Sequence, residues 1–77
     1  MTDYRQRITL QAGQRSGRPC VRGLRITVSD VLAWLAAGMS PDDILADYPE
    51  LEREDIIACL AWAAAREQHA AWIPVAT

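Results

Sequence analysis

The pattern of hydrophobic and polar positions divides the chain into a short β ribbon followed by helices. Residues 7–11 alternate polar and apolar side chains, as a strand with one buried face does, and residues 24–28 do the same. Glycines and a proline between them favour a loop over residues 12–23. Beyond residue 28 the apolar positions recur with helical spacing. We therefore predict a mainly α chain with a short N-terminal β ribbon.

Capping residues place the first two helices. Ser29 is predicted as the N-cap of the first helix, and Gly38 as the residue just past its end. Ser40 is predicted as the N-cap of the second, with Pro41 at its first position. The second helix should stop before Pro49, which cannot continue it.

The third and longest helix is predicted over residues 53–70. Its expected inward face consists of Ile56, Ile57, Leu60, Ala63 and Ala64. Cys59, Trp62 and Arg66 are predicted to share a different face. A short helix, a tight turn and a longer helix form the order of a helix-turn-helix, so we predict a three-helix, helix-turn-helix-like class.

We predict a single domain over residues 1–77. Residues 8–28 would form the ribbon and a basic loop, residues 29–71 the three helices, and residues 72–77 an apolar tail. No apolar run approaches 18 residues, and no leader with a cleavage site is visible. We expect a cytoplasmic protein without a membrane span.

Charge is divided unevenly along the chain. Residues 1–28 carry six arginines against one aspartate, or +5, whereas residues 29–77 carry two arginines against nine acidic residues, or −7. The candidate binding residues are the arginines of the loop and its flank: Arg15, Arg18, Arg22 and Arg25. Their guanidinium groups suit the phosphates of duplex DNA or carboxylates. Alternatively, they pair with the acidic helices of this chain or of a second copy.

The start of the third helix does not suit contact with DNA bases. It holds Glu52, Glu54 and Asp55, which phosphates would repel, and Arg66 is the only later residue suited to a phosphate. DNA, if bound, would then contact the basic ribbon. The alternative is that the helices act only as scaffold and dimer surface.

Tryptophans and the apolar tail form a second candidate surface. Trp62, Trp72, Ile73 and Val75 are predicted to form an association surface, and a homodimer is expected. The alternative is that the tail folds back over Trp62 and completes the core of the monomer.

Residues suited to catalysis or metal binding are sparse. Cys20 and Cys59 lie far apart, and His69 is the only histidine, so neither a metal site nor a cofactor is predicted. No nucleophile and base are spaced as a catalytic pair, and we expect no enzyme activity. Cys20 lies among arginines, where a reactive thiol is a minor further hypothesis.

Two sequence blocks carry a family resemblance. "GRPCVRGLRITV" over residues 17–28 and "GMSPDDILADYPEL" over residues 38–51 resemble the domain of unknown function 433 family. The family's basic block would correspond to Arg18, Pro19, Cys20, Arg22, Gly23 and Arg25. This chain departs from the pattern at Leu24, where threonine is common, and at Thr27, where proline is common.

The resemblance implies a homeodomain-like or winged-helix-like fold and a VapB-like antitoxin, paired with a PIN-like ribonuclease toxin. An arginine inserted into the acidic metal site of such a nuclease would compete with Mg²⁺. We therefore expect an antitoxin-like regulatory protein that neutralises this ribonuclease, with operator DNA as a further candidate partner. The alternative is a dimeric interaction module that binds no DNA.

Overall fold

The structure is a computed structural model and describes residues 3–10 and 17–69. A 3₁₀ turn and two short strands are followed by three helices, and we number them in chain order. They are the 3₁₀ turn Tyr4–Gln6, β1 Ile8–Thr9, β2 Cys20–Val21, α1 Val28–Ala36, α2 Pro41–Asp47 and α3 Arg53–His69. The two strands form an antiparallel sheet. This confirms the predicted class, mainly α with three helices and a short N-terminal ribbon.

The ribbon is shorter than predicted, and its second strand lies elsewhere. β1 falls inside the predicted strand 7–11, but the strand predicted over residues 24–28 is wrong, because β2 lies earlier, inside the predicted loop. The later segment meets β2 only at an isolated bridge between Thr27 and Cys20. The bridge consists of two hydrogen bonds, from the Val21 N–H to the Ile26 carbonyl at 2.9 Å and from the Val28 N–H to the Pro19 carbonyl at 3.0 Å. The pairing goes no further along the chain because α1 begins at Val28.

Thr27, rather than the predicted Ser29, caps α1. The Thr27 hydroxyl accepts the backbone N–H of Asp30 at 3.0 Å, and the Asp30 carboxylate accepts the N–H of Thr27. This reciprocal pair is a capping box, which needs a hydroxyl and a carboxylate three residues apart. Ser29 directly precedes Asp30, which is two residues too close to form it.

The end of α1 is confirmed at Gly38. The Gly38 N–H donates to the Leu35 carbonyl at 3.0 Å, and the Met39 N–H donates to the Trp34 carbonyl at 3.1 Å. These two bonds make a Schellman motif, in which the residue after the C-cap takes a left-handed conformation. Gly38 has φ +99°, which a side chain would oppose.

The boundaries of α2 also follow the prediction. Ser40 caps the helix through reciprocal bonds with Asp43, and Pro41 occupies its first turn. Tyr48 is the C-cap, directly before Pro49. The Tyr48 ring stacks on Trp34 of α1, with ring centroids 4.1 Å apart, and this contact links the ends of the two helices.

The core lies where the ribbon, α1 and α2 meet α3. Its buried members lie in β2, in the three helices and in the loop before α3, and none lies in β1. They are Val21, Val28, Val31, Ile44, Leu51, Ile56 and Cys59. Ile8 of β1 and Trp62 of α3 pack against this cluster while keeping part of their surface exposed.

The inward face of α3 differs from the predicted one. Ile56 is buried as expected, but Ile57 and Leu60 are 46% and 49% exposed, and Ala64 is exposed as well. Cys59, which was predicted on another face, is fully buried in the core. Residues 56–65 of the helix are all apolar, so its hydrophobic periodicity does not specify which side faces inward.

Candidate functional site

A buried carboxylate joins the ribbon to the start of α3. Asp55 is fully buried and accepts four hydrogen bonds. Its Oδ1 accepts Arg7 Nη1 at 2.8 Å and Arg22 Nε at 2.9 Å. Its Oδ2 accepts Arg22 Nη2 and the backbone N–H of Glu52, both at 2.8 Å. Arg7, Arg22, Glu52 and Asp55 are called the Asp55 cluster below.

The arginines make further contacts that fix their positions. Arg7 Nη1 also donates to Glu52 Oε1 at 2.8 Å, and Arg7 Nη2 lies 3.5 Å from the Glu54 carboxylate. Arg22 Nη2 also donates to the Glu50 carbonyl at 2.8 Å. The two guanidinium groups thereby neutralise part of the negative charge at the start of α3.

Protonation at the cluster follows from burial and these bonds. Burial alone would raise the pKa of Asp55, but the hydrogen bonds from Arg22, from the Glu52 N–H and from Arg7 outweigh it. The pKa of Asp55 therefore lies below its ordinary value of 3.8. The pKa of Arg22 is raised, chiefly by its hydrogen bond to Asp55, so the pair stays ionised at neutral pH.

A tight turn brings Arg22 to the cluster. The Leu24 N–H donates to the Val21 carbonyl at 2.7 Å, and Arg22 and Gly23 between them have φ +46° and +74°. Positive φ at both central positions is typical of a type I′ turn. Arginine adopts such a φ rarely, and its bidentate bond to Asp55 compensates for the strain.

We expect acid to destabilise the fold through Asp55. Because the pKa of Asp55 is lower in the folded chain than in the unfolded chain, its ionised carboxylate stabilises the fold. This contribution is fully present above about pH 4 and is lost as the pH falls further. Urea unfolding between pH 6 and pH 3 should show the loss in the wild type, and Asp55→Asn should remove much of it. The exposed Asp42→Asn variant is the control. Parallel losses in the wild type and in Asp55→Asn would contradict this assignment.

The predicted basic loop is divided by the structure. Arg22 pairs within the chain, which is one of the two alternatives that the sequence left open. Arg18 and Arg25 are exposed and form no ion pair with any of the described residues. Arg15 lies outside the residues that the structure describes. The sequence analysis does not identify Arg7 as a site residue and treats Asp55 only as one of the acidic residues that phosphates would repel.

Arg18 and Arg25 lie on either side of β2. Arg18 lies between Gly17 and Pro19, and its carbonyl accepts the thiol of Cys20 at 3.3 Å. Arg25 follows the turn that Arg22 anchors. Because the Asp55 cluster holds this turn against α3, it also fixes the backbone that carries the two exposed arginines.

The predicted association surface lies only partly within the residues that the structure describes. Trp62 is half-buried against the core, and the Arg66 guanidinium lies 4.8 Å from its ring centroid. With Tyr4, Ile8 and Leu10, Trp62 lines a groove of 310 Å³. Trp72, Ile73 and Val75 lie outside the described residues. The face that Trp62 shares with Cys59 leads into the core, so the prediction that this face lies apart from the core is wrong.

Neither cysteine offers an accessible thiol. Cys20 and Cys59 are both fully buried, and neither forms a disulfide. Burial, together with the charge of Asp55, raises the pKa of the Cys59 thiol to about 12. Within residues 3–10 and 17–69, no group of three His, Cys, Asp or Glu side chains is placed to hold a metal. In the same residues, no helix combines the length and apolar character needed to cross a membrane.

These features define a class: a small, mainly helical chain in which an arginine-bearing β ribbon is held to the third helix by a buried carboxylate. Residues 8–63 match the family described as "Protein of unknown function (DUF433)", and the chain belongs to that family.

A solved structure from the same family has a similar fold. It is the crystal structure of a DUF433 member protein from Anabaena variabilis ATCC 29413, which is 27% identical to this chain with a TM-score of 0.74. The similarity covers 80% of this chain and 61% of that one, so this chain matches about three fifths of the other's length. No curated protein matches the chain.

Proposed function

We propose that the chain is an antitoxin-like regulatory protein that neutralises a PIN-like ribonuclease by placing Arg18 and Arg25 against the acidic metal site of that partner. The observation that supports this most is the division of the arginines. Arg22 donates two hydrogen bonds to Asp55 of the same chain. Arg18 and Arg25 are exposed and form no ion pair with the described residues. The family resemblance supplies the class of partner.

The chemistry of arginine suits this role. A guanidinium group is planar, stays charged at every physiological pH and can bind a carboxylate through two parallel hydrogen bonds. A nuclease that holds Mg²⁺ between carboxylates presents a concentrated negative charge, which attracts a basic surface. An arginine placed there would occupy the same carboxylates as Mg²⁺, so binding of the two would be mutually exclusive.

The negative charge at the start of α3 favours a protein partner over contact between this helix and DNA bases. Glu52 and Glu54 are exposed at the start of the helix, and Ile57 and Leu60 follow on its outer side. Phosphates repel these carboxylates, and Arg53, the exposed donor between them, is paired with Asp42. Duplex DNA as a further partner would be contacted by Arg18 and Arg25, and its affinity would fall steeply with salt.

A second candidate function is a homodimeric interaction module. It is supported by the apolar side chains that α3 leaves exposed, Ile57 and Leu60, one turn apart on the helix. The two candidates are compatible, because the exposed arginines and this helix face are different surfaces.

The proposal predicts that the neighbouring reading frame encodes a PIN-like ribonuclease. The test is whether this chain neutralises that enzyme, and a neighbour of another kind would count against the proposal. We expect Arg18→Glu with Arg25→Glu to weaken neutralisation about 100-fold or more, because two attractive contacts become repulsive. Arg5→Glu is the matched control, since Arg5 is also exposed but pairs locally with Asp3 at 3.2 Å. Circular dichroism should show that all variants are folded.

Two results would overturn the proposal. One is full neutralisation by the doubly substituted chain. The other is a wild-type chain that does not inhibit the ribonuclease but binds duplex DNA with steep salt dependence, which would make DNA the partner of the same arginines.

A further inference from the structure

The outer face of α3 carries a regular stripe of exposed side chains. Ile57 and Leu60 are exposed large apolar residues, and Ala64 continues their line toward the C-terminus. Arg53 lies one turn before this apolar stretch and Glu67 one turn after it, and both are exposed. Arg53, Ile57, Leu60, Ala64 and Glu67 are called the outer stripe below.

The spacing within the outer stripe is that of a helix-pairing seam. Its members follow one another at intervals of four, three, four and three residues, which keeps them on one side of the helix. The opposite side of α3, with Ile56 and Cys59, is already buried in the core. The helix therefore has a second apolar side that the described part of the chain does not cover.

We propose that two copies of this chain associate through their outer stripes, with the two α3 helices antiparallel. Ile57 of each copy lies opposite Leu60 of the other. Ala64 is small enough to let the helices approach closely, and it leaves room for the stem of Arg53. This inference rests on the second candidate function, self-association, and gives that function a surface and an orientation.

Charge complementarity selects both the occupant and the orientation. The stripe is basic at its first residue, Arg53, and acidic at its last, Glu67. An antiparallel second copy brings Arg53 within a side chain's length of Glu67 at both ends of the contact. A parallel copy would instead bring arginine to arginine and glutamate to glutamate, which is repulsive.

The existing contacts of Arg53 permit this pairing. Arg53 forms an ion pair with Asp42 of α2, but both side chains are more than half exposed. An exposed pair contributes little to stability, so Arg53 can be shared with a second acceptor at small cost. Glu67 makes no ion pair with any residue that the structure describes.

The size of the contact predicts a weak, reversible dimer. A single pair of helices in contact over about four turns buries less than the roughly 1,200 Å² at the lower end of stable interfaces. We therefore expect dissociation in about the micromolar range. Sedimentation velocity of the full chain from about 1 μM to about 1 mM should show conversion from monomer to dimer.

Substitutions within and outside the stripe test the surface. Leu60→Glu should raise the dissociation constant at least tenfold, because it places two carboxylates in the contact. Ala46→Glu is the matched control: Ala46 is exposed on α2, away from the outer stripe and from the groove that Trp62 lines, and its substitution should leave the constant unchanged. Urea unfolding at low concentration checks that both variants are folded.

A charge exchange tests the orientation. Arg53→Glu alone should weaken the antiparallel dimer, and adding Glu67→Arg to the same chain should restore it. In a parallel dimer, Arg53→Glu would replace one like-charged pair by another and change little. A regained ion pair with Asp42 cannot explain a restored dimer. Position 53 is still negatively charged in the double variant and still repels Asp42.

Each contrary result has a distinct meaning. A chain that stays monomeric at about 1 mM would refute self-association as well as this surface. A dimer that Leu60→Glu leaves intact would refute the outer stripe alone, and self-association would stand. A dimer that Arg53→Glu leaves intact, but Leu60→Glu disrupts, would refute the antiparallel orientation.

Discussion

Replacing Asp55 with alanine should destabilise the folded chain by about 3 kcal/mol. The substitution leaves Arg7 and Arg22 side by side without their shared carboxylate, and it removes the acceptor of the Glu52 N–H. Removing one member of a buried ion pair is costly because the remaining charges stay desolvated. The loss is a large fraction of the roughly 5–15 kcal/mol by which small proteins are stable. Urea unfolding followed by circular dichroism measures it.

Two companion variants separate this effect from a general loss of negative charge. Asp42→Ala removes an exposed carboxylate that pairs with Arg53, and it should change the unfolding midpoint very little. Asp55→Asn keeps the shape but not the charge and should fall between the wild type and Asp55→Ala. Equal effects of Asp42→Ala and Asp55→Ala would show that the buried cluster contributes nothing specific.

Replacing Ile56 with alanine should cost a similar amount, about 3 kcal/mol, for a different reason. Ile56 is 1% exposed in the core, and its truncation leaves a cavity that neighbouring side chains fill only in part. Urea unfolding again gives the change in the free energy of unfolding.

The adjacent residue supplies the control. Ile57 is the same residue type in the same helix but is 46% exposed, so Ile57→Ala should change stability by less than about 1 kcal/mol. Both variants should be measured at low concentration, so that association through the outer stripe does not contribute. A larger loss for Ile57→Ala than for Ile56→Ala would mean that α3 packs with its other side inward.

The sequence predicted the helices best where a local chemical signal marks their ends. The signals at Ser40 and Gly38 act at short range, and the structure confirms both. The prediction of Ser29 as the cap of α1 is wrong, although the sequence contains the correct signal. Thr27 lies three residues before Asp30, which is the spacing of a capping box.

The strands were harder to place because their pairing is decided by contacts outside the segment itself. Residues 24–28 have strand-forming side chains, yet the turn at Arg22 and the cap at Thr27 use the backbone differently. β2 is only two residues long and has no alternation to detect. Its position follows from pairing with β1 and from the anchoring of Arg22 on Asp55.

The orientation of α3 could not be predicted from periodicity. Both sides of the helix are apolar, with Ile56 and Cys59 on one and Ile57 and Leu60 on the other. What distinguishes them is Asp55, whose burial requires two arginines from the N-terminal part of the chain. Because these partners lie 33 and 48 residues away in sequence, no local pattern reveals the pairing.

The same long-range pairing changes the interpretation of the basic segment. By sequence, Arg18, Arg22 and Arg25 are equivalent candidates for a partner's phosphates or carboxylates. In the structure, Arg22 holds the ribbon to α3, while Arg18 and Arg25 remain exposed on either side of β2. Loss of function in an Arg22 variant would therefore reflect loss of structure, and partner contact is best tested at the other two positions.

The most direct test of this division is a double-mutant cycle on the free energy of unfolding. The cycle combines Arg22→Gln with Asp55→Asn, and a matched cycle uses Arg25→Gln in place of Arg22→Gln. We expect a coupling energy above about 1 kcal/mol between Arg22 and Asp55, and none between Arg25 and Asp55 within error. Equal coupling in the two cycles, or none in either, would contradict the assignment of Arg22 to the fold and of Arg25 to the surface.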